Sequence, residues 1–330
     1  MSLNPDVLPI FVTTTPQWLL DKYIQGRYLY RPRRLDVGVI QSDGLTMDLE
    51  ATLSACQEMK DRSEALIRAE ADFIVTNQVR LVYADIPPLA VAIAQAAGIP
   101  CWMEGNFGWN FIYRPYGEAF QPIVEWIDSL YGHCDRLFQL PFHEPMSVFP
   151  VRESVGLTGG NPSIGADAIR ERLKLDPNRP VVLLTFGGFG IQNFPYQALT
   201  RFSEWQFLCF DDQAPDLPHL IRLDKSWRPV DLMPVCERVV SKPGYGTLSE
   251  ALRTGTGFTC VTREGFAESD LLITGLRRYG RHQIISQAAF FQEPWNFLKE
   301  PLLDPSESNP LDPNGNETIA QRIQDFLVGR

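Results

Sequence analysis

VVLLTFGGFG, residues 181–190, reads as an apolar strand over Val181–Thr185 that runs directly into a turn holding Gly187, Gly188 and Gly190. Unbroken aliphatic residues, without polar alternation, are what a strand buried on both faces requires. Glycines placed just after such a strand leave backbone N–H groups open and let a phosphate approach the main chain. Tight packing alone is the other use of such a turn. Its spacing is neither G-x-G-x-x-G nor G-x-x-x-x-G-K-[ST], so the dinucleotide and P-loop fingerprints are missing.

Outward from this strand the same grammar repeats. In the second half, Phe207–Cys209, His219–Leu223, Arg238–Val240 and Gly257–Val261 read as strands, and Ala166–Leu173, Thr247–Arg253 and Glu317–Leu327 as helices. In the first half the expected strands are Ile10–Thr13, Leu35–Val39, Leu81–Tyr83, Pro100–Met103 and Arg136–Phe138. One or two helices cover Thr46–Glu70, and others cover Leu89–Ala97 and Pro122–Tyr131. Strands alternating with helices predict an α/β protein with mainly parallel, doubly wound sheets. The irregular stretch at residues 141–165 suits a crossing between two domains, expected at 1–155 and 156–330, with ligands bound at strand C-termini facing a cleft.

Composition bounds the partners. The 330 residues carry 30 Lys and Arg against 40 Asp and Glu, a net charge of -10, which disfavours non-specific nucleic-acid binding. Apolar stretches such as residues 87–100 stop well short of the roughly 20 residues of a membrane span. The N-terminus shows no basic n-region, and the six cysteines are scattered singly with no ligand-like spacing to the four histidines. A cytoplasmic chain without a structural metal is expected, with Cys101, Cys209 and Cys260 as small core residues.

Two further segments add chemistry to the second half. VVSKPGYGTLSEALRTG, residues 239–255, ends a strand at Lys242 and Pro243, passes Gly244 and Gly246, and opens a helix whose N–H groups and dipole favour an anion. Thr247 and Glu250 also match a T-x-x-E capping box, and Gly255 fits the helix C-terminus. VTREGFAESDLL, residues 261–272, places Arg263, Glu264 and Glu268 after a strand; the two glutamates share a face if the stretch is helical, over a sugar or ribose or as a solvated acidic surface. In the first half, Asp85 closes a strand, and Glu104, Asn106, Trp109, Asn110, Tyr113 and Arg114 follow within a short span. Stacking on a sugar and packing between domains are both open to them. Asp85 is the candidate base for group transfer, and His133 fits a helix-end role better than catalysis. The G-x-S-x-G and H-E-x-x-H constellations are missing.

With FGG opening its second half and KPGYGTLSEAL after it, the chain resembles the GT-B glycosyltransferases, built of two Rossmann-like halves. QSDGLTMD, DFIV, VYADIPPLA, GNFGWNFIYRPY, YGHCDRLFQLP, LLTFGG, GYGTLSEAL and REGFAES occur in the order found in the glycosyltransferase-like N-terminal module of L-arabinokinases. The resemblance implies a nucleotide-sugar donor, UDP-linked donors among those expected, and no further cofactor. It puts the diphosphate at Gly187, Gly188 and Gly190 and around Lys242, Gly244, Gly246, Thr247 and Glu250, with Glu264 and Glu268 on ribose or sugar. The acceptor, a small molecule, glycan or lipid, would meet Asp85, Asn106, Trp109 and Asn110, with Asp85 and Asn110 as the catalytic pair. Kinase chemistry belongs to a separate galactokinase-like domain in that family, so none is expected here. The family's opening strand and its glycine- and histidine-rich turn have no counterpart, which predicts exposed backbone in the first sheet. Sugar-nucleotide epimerisation on the same fold, and a non-catalytic module that senses a nucleotide sugar or binds a protein partner, are the rival functions.

Overall fold

A computed structural model describes residues 7–187, 190–292 and 294–329. The chain divides into two compact units, one formed by residues 1–40, 47–157 and 314–330, the other by 41–46 and 158–313.

In the first unit, strand β1 (Ile10–Val12), helix α1 (Gln17–Tyr23) and strand β2 (Leu29–Arg31) form a parallel βαβ pair. Helices α2 (Leu49–Asp61) and α3 (Ser63–Thr76) follow, the first capped by the Asp48 carboxylate, which accepts from Ala51 N–H. The single or double helix expected over Thr46–Glu70 is therefore two. Strands β3 (Val82–Asp85), β4 (Cys101–Gly105), β5 (Arg136–Gln139) and β6 (Arg152–Ser154) make a parallel sheet in the order β3-β4-β5-β6. They are joined through helices α4 (Leu89–Ala97), α5 (Trp109–Tyr113) and α6 (Gln121–Tyr131). Among the described residues β1 and β2 pair only with each other, so this unit holds two sheets rather than one.

The strand expected at Leu35–Val39 does not form. Gly38 takes a φ of +69°, which breaks the extended run, and the segment is used for packing instead. Leu35 lies against Ile74, Leu89 and Ile93, while Gly38 C=O accepts from the Tyr113 hydroxyl at 2.7 Å. Strand β6 lies in the stretch read as an irregular crossing.

The second unit is one six-stranded parallel sheet: β7 (Val181–Leu184), β8 (Gln206–Cys209), β9 (Leu220–Arg222), β10 (Arg238–Ser241), β11 (Gly257–Val261) and β12 (His282–Ile285). Its helices are α7 (Ala166–Leu173), α8 (Tyr196–Leu199), α9 (Pro229–Leu232), α10 (Tyr245–Thr254), α11 (Glu268–Tyr279) and α12 (Gln287–Phe291). Every residue of β7, β8, β10 and β11 is buried, as a sheet covered on both faces demands. The core gathers Val182, Leu184, Phe186, Phe207, Val240, Val261 and Phe290 around Trp295, whose indole N–H donates to Phe290 C=O at 2.6 Å.

Strand order is β12-β11-β10-β7-β8-β9. The chain lays β8 and β9 on one side of β7, then returns to build β10, β11 and β12 on the other. That reversal sets a topological switch point between the C-terminal ends of β7 and β10, where open α/β sheets take ligands.

The closing helix α13 (Gly315–Val328), expected with the second half, belongs to the first unit. Phe326 packs on Trp102 with ring centroids 5.1 Å apart, Arg322 pairs with Glu153 at 2.9 Å, and Arg80 donates to Leu327 C=O at 2.7 Å. Among the described residues no helix is long and apolar enough to cross a membrane, and no cluster of metal-ligating side chains occurs. All six cysteines are free, and Cys101, Cys209 and Cys260 are buried.

Candidate functional site

Three loops of the second unit leave neighbouring strands side by side. β7 pairs with β10 through Leu184 and Val240, and β10 pairs with β11 through Ser241 and Cys260. The glycine turn after β7, the start of α10 after β10 and the segment leading to α11 after β11 therefore open from the same end of the sheet. Gly187 and Gly190 adopt φ values of +76° and +61°, and Gly190 N–H donates to Gly187 C=O at 3.1 Å. Such values suit glycine. Gly188 lies outside the described residues.

Helix α10 begins at Tyr245 with Gly244 extended at its N-cap and no side chain capping it. The capping box expected from Thr247 and Glu250 is thus not made. Pro243 and Gly244 place the N-cap three residues earlier than that motif assumes, which puts Thr247 within the first turn. Gly246 and Thr247 stand beside the positive end of the helix dipole. Gly255, left-handed at φ +70°, ends the helix as expected.

Lys242, at the end of β10, is half-buried. A Cβ on Gly187 would lie 3.8 Å from its Cε, so the ammonium stem runs past the glycine turn. Burial, reinforced by the charge of Arg263 and opposed by Glu268, pushes the Lys242 pKa down to about 8. Arg263 is itself buried and stacks over Phe266 with its guanidinium 4.3 Å from the ring centroid. Glu268 is buried as the first residue of α11. Glu264 is exposed in the turn before that helix, so the two glutamates do not share a helical face. Two cations and one carboxylate are thereby held near the switch point.

Glu250 faces elsewhere. Its Oε1 accepts from Gly160 N–H at 2.9 Å, on the side of α10 where Ser249 donates to Thr158 C=O and Arg253 donates to Gly159 and Gly160 C=O. Burial raises its pKa against that bond.

In the first unit Asp85 is exposed at the end of β3, an edge strand of its sheet, and faces Glu104 of β4 in the pairing register. Burial raises the Glu104 pKa against its hydrogen bond with Tyr83. Asn106 is buried after β4, and its C=O accepts from Glu144 N–H at 2.9 Å. Trp109 stacks on Tyr113 and donates its indole N–H to Asp36 Oδ2 at 3.1 Å, packing within its own unit. Asn110 is buried and spends its Nδ2 on Asp128 Oδ1 at 2.6 Å, where Arg114 also pairs. His133 is exposed in the turn after α6. Asp85 and Asn110 thus stand in different settings, one exposed at a strand end and one locked against α6.

No family model matches the sequence. Over 328 residues the chain is 29% identical to the L-arabinokinase of Arabidopsis thaliana, covering 97% of this chain but 31% of that enzyme. Among solved structures, the calicheamicin glycosyltransferase CalG4 is similar with a TM-score of 0.63 and 16% identity, covering 97% of this chain and 91% of its own. Phytolacca americana UGT2, complexed with UDP-2fluoro-glucose and pterostilbene, is similar with a TM-score of 0.57 and 13% identity, over 97% and 86%. The fold is GT-B. Within this GT-B chain, the second unit carries the candidate site, and what sequence reasoning missed is the contact of Gly44 N–H with Gly190 C=O and of Gln192 N–H with the Asp43 carboxylate. A D-G pair in QSDGLT signals a turn, but nothing in the sequence ties that turn to a loop far along the chain.

Proposed function

We propose that this GT-B chain binds a nucleotide diphosphate sugar in its second unit and transfers the sugar to an acceptor. The observation that carries the proposal is the switch point itself: a positive-φ glycine turn and an uncapped helix N-terminus on adjacent strands, with Lys242 and Arg263 beside them. A helix dipole, the N–H groups of its first turn and a neighbouring ammonium would stabilise a bound diphosphate and the charge that develops on it as the sugar leaves. Glu268 is the carboxylate assigned to ribose or sugar hydroxyls. The complex of Phytolacca americana UGT2 with UDP-2fluoro-glucose supports a UDP-linked donor. Asp85 is proposed as the base and Asn110 as the group that holds α5 in place.

Calorimetry with UDP, GDP, dTDP and their sugar conjugates tests the reading. Saturable binding, weakened about tenfold by Thr247→Ala or Glu268→Ala, is expected. A folded, monodisperse sample that binds none of them rejects the donor site. Donor turnover lost in Asp85→Asn with binding intact supports transfer; binding without turnover in the wild-type protein leaves a nucleotide-sugar sensing module.

A further inference from the structure

Six residues that precede α2, Gln41–Thr46, are built into the second unit. Leu45 is buried in its core with Phe186, Val240 and Val261. The buried Asp43 carboxylate accepts from Leu45 N–H and Thr46 N–H through Oδ1, both at 2.9 Å, and from Gln192 N–H through Oδ2 at 3.4 Å. Gln192 answers with Nε2 donating to Ser42 C=O at 3.3 Å. Burial acts to raise the Asp43 pKa, but the N–H donors of Leu45, Thr46 and Gln192 outweigh it and hold the carboxyl below its usual range.

The segment meets the glycine turn through Gly44. Its N–H donates to Gly190 C=O at 3.0 Å. A Cβ at Gly44 would lie 2.8 Å from Gly190 O, 3.2 Å from Phe186 O and 3.6 Å from Lys242 Cδ. The first two neighbours are backbone and cannot swing aside, so glycine is required here for space. Lifting the segment would expose Leu45 and break the Gln192 N–H donation to the Asp43 carboxylate, two costs that add. A fixed wall fits these contacts better than a mobile lid.

We propose that Asp43 and Gly44 are positioning residues of the diphosphate site: Gln41–Thr46 holds Gly190 and Gln192 in place beside Lys242, so that the end of the glycine turn and the lysine address one diphosphate. This rests on the donor-site reading above. Asp43 acts through the Gln192 contact and Gly44 through Gly190; neither is assigned a role in the chemistry.

The test uses the full chain with Asp43→Asn and Gly44→Ala. The asparagine keeps an oxygen for Leu45 and Thr46 and turns a donor toward Gln192, so it breaks the link to the turn selectively. Calorimetry with UDP and with inorganic pyrophosphate is paired with amide exchange over residues 186–192. Losing one charge-assisted hydrogen bond to the diphosphate, at about 1.5–3 kcal/mol, costs roughly ten- to a hundredfold. Gly44→Ala is expected to lose about that much affinity for UDP and pyrophosphate alike, Asp43→Asn somewhat less, and both to exchange faster over 186–192. Unchanged or tighter diphosphate binding in Asp43→Asn overturns the inference, since the segment would then be a bystander or an obstruction. If Gly44→Ala fails to fold, the asparagine variant decides alone. Wild-type protein that binds neither probe rejects the donor site; faster exchange in Asp43→Asn would then still show that the segment holds the turn, and unchanged exchange would reject that too.

Discussion

Replacing Lys242 with methionine tests whether the second unit gives up stability to keep a cation at the switch point. Burial beside Arg263 lowers the Lys242 pKa from 10.5 to about 8, with Glu268 acting in the opposite direction. At about 1.4 kcal/mol per pKa unit, holding the ammonium there costs at most about 3 kcal/mol. The half-buried side chain keeps part of its hydration, so a gain on the order of 1–2 kcal/mol is expected for Lys242→Met at pH 7. The sign with pH follows from proton counts. Below pH 8 both folded and unfolded states hold the proton and the full penalty is present. Between about 8 and 10.5 the unfolded chain binds more protons, so wild-type stability rises with pH relative to the variant. By pH 10 about half or less of the pH 7 difference should remain. Urea denaturation of both proteins at pH 7 and pH 10, followed by amide exchange in β10, measures this. The same variant should lose UDP affinity, and wild-type affinity should fall above pH 8 as the ammonium deprotonates. A variant less stable than wild type at pH 7, or a gain that persists undiminished at pH 10, would refute the reasoning.

Asp231 is 2% exposed and holds Arg228 at 2.6 Å and Ser163 N–H at 2.7 Å. Asp231→Asn should destabilise the second unit by about 3 kcal/mol at pH 7. Burial acts to raise its pKa, but Arg228 and Ser163 outweigh it and hold the carboxyl below its usual range; the difference from wild type should therefore shrink as the pH falls below about 4. Equal melting curves at pH 7 would count against the network. A Cβ at Gly315 would sit 2.2 Å from Gly156 O and 2.8 Å from Leu157 O, both backbone. Gly315→Ala should cost about 1–3 kcal/mol and speed amide exchange along α13; unchanged exchange would show that this contact does not anchor the helix.

Much of the second sheet was legible because its strands announce themselves locally. β7 is an unbroken apolar run, β10 and β11 centre on Val239–Val240 and on Phe258 to Val261, and the glycines after β7 and at the start of α10 stand next to them. Edge strands were harder. β6 is Arg-Glu-Ser, partly exposed, with no apolar residue to mark it, and β12 opens on His282 and Gln283, polar yet buried. Leu35–Val39 carries a strand-like pattern, yet Gly38 turns the chain and its apolar residues serve helix packing.

By itself the sequence determined the α/β class, the two Rossmann-like series of elements and the residues flanking the switch point, because burial on both faces and turn chemistry act over a few neighbouring residues. Only the tertiary structure decided what those residues meet. It gave α13 to the first unit through Trp102, Glu153 and Arg80, turned Glu250 toward Gly160, and set Asp43 against Gln192, a partner 149 positions along the chain. Hydrogen-bond partners and a glycine needed for space depend on which surfaces packing brings within about 3 Å, and local pattern carries no record of that.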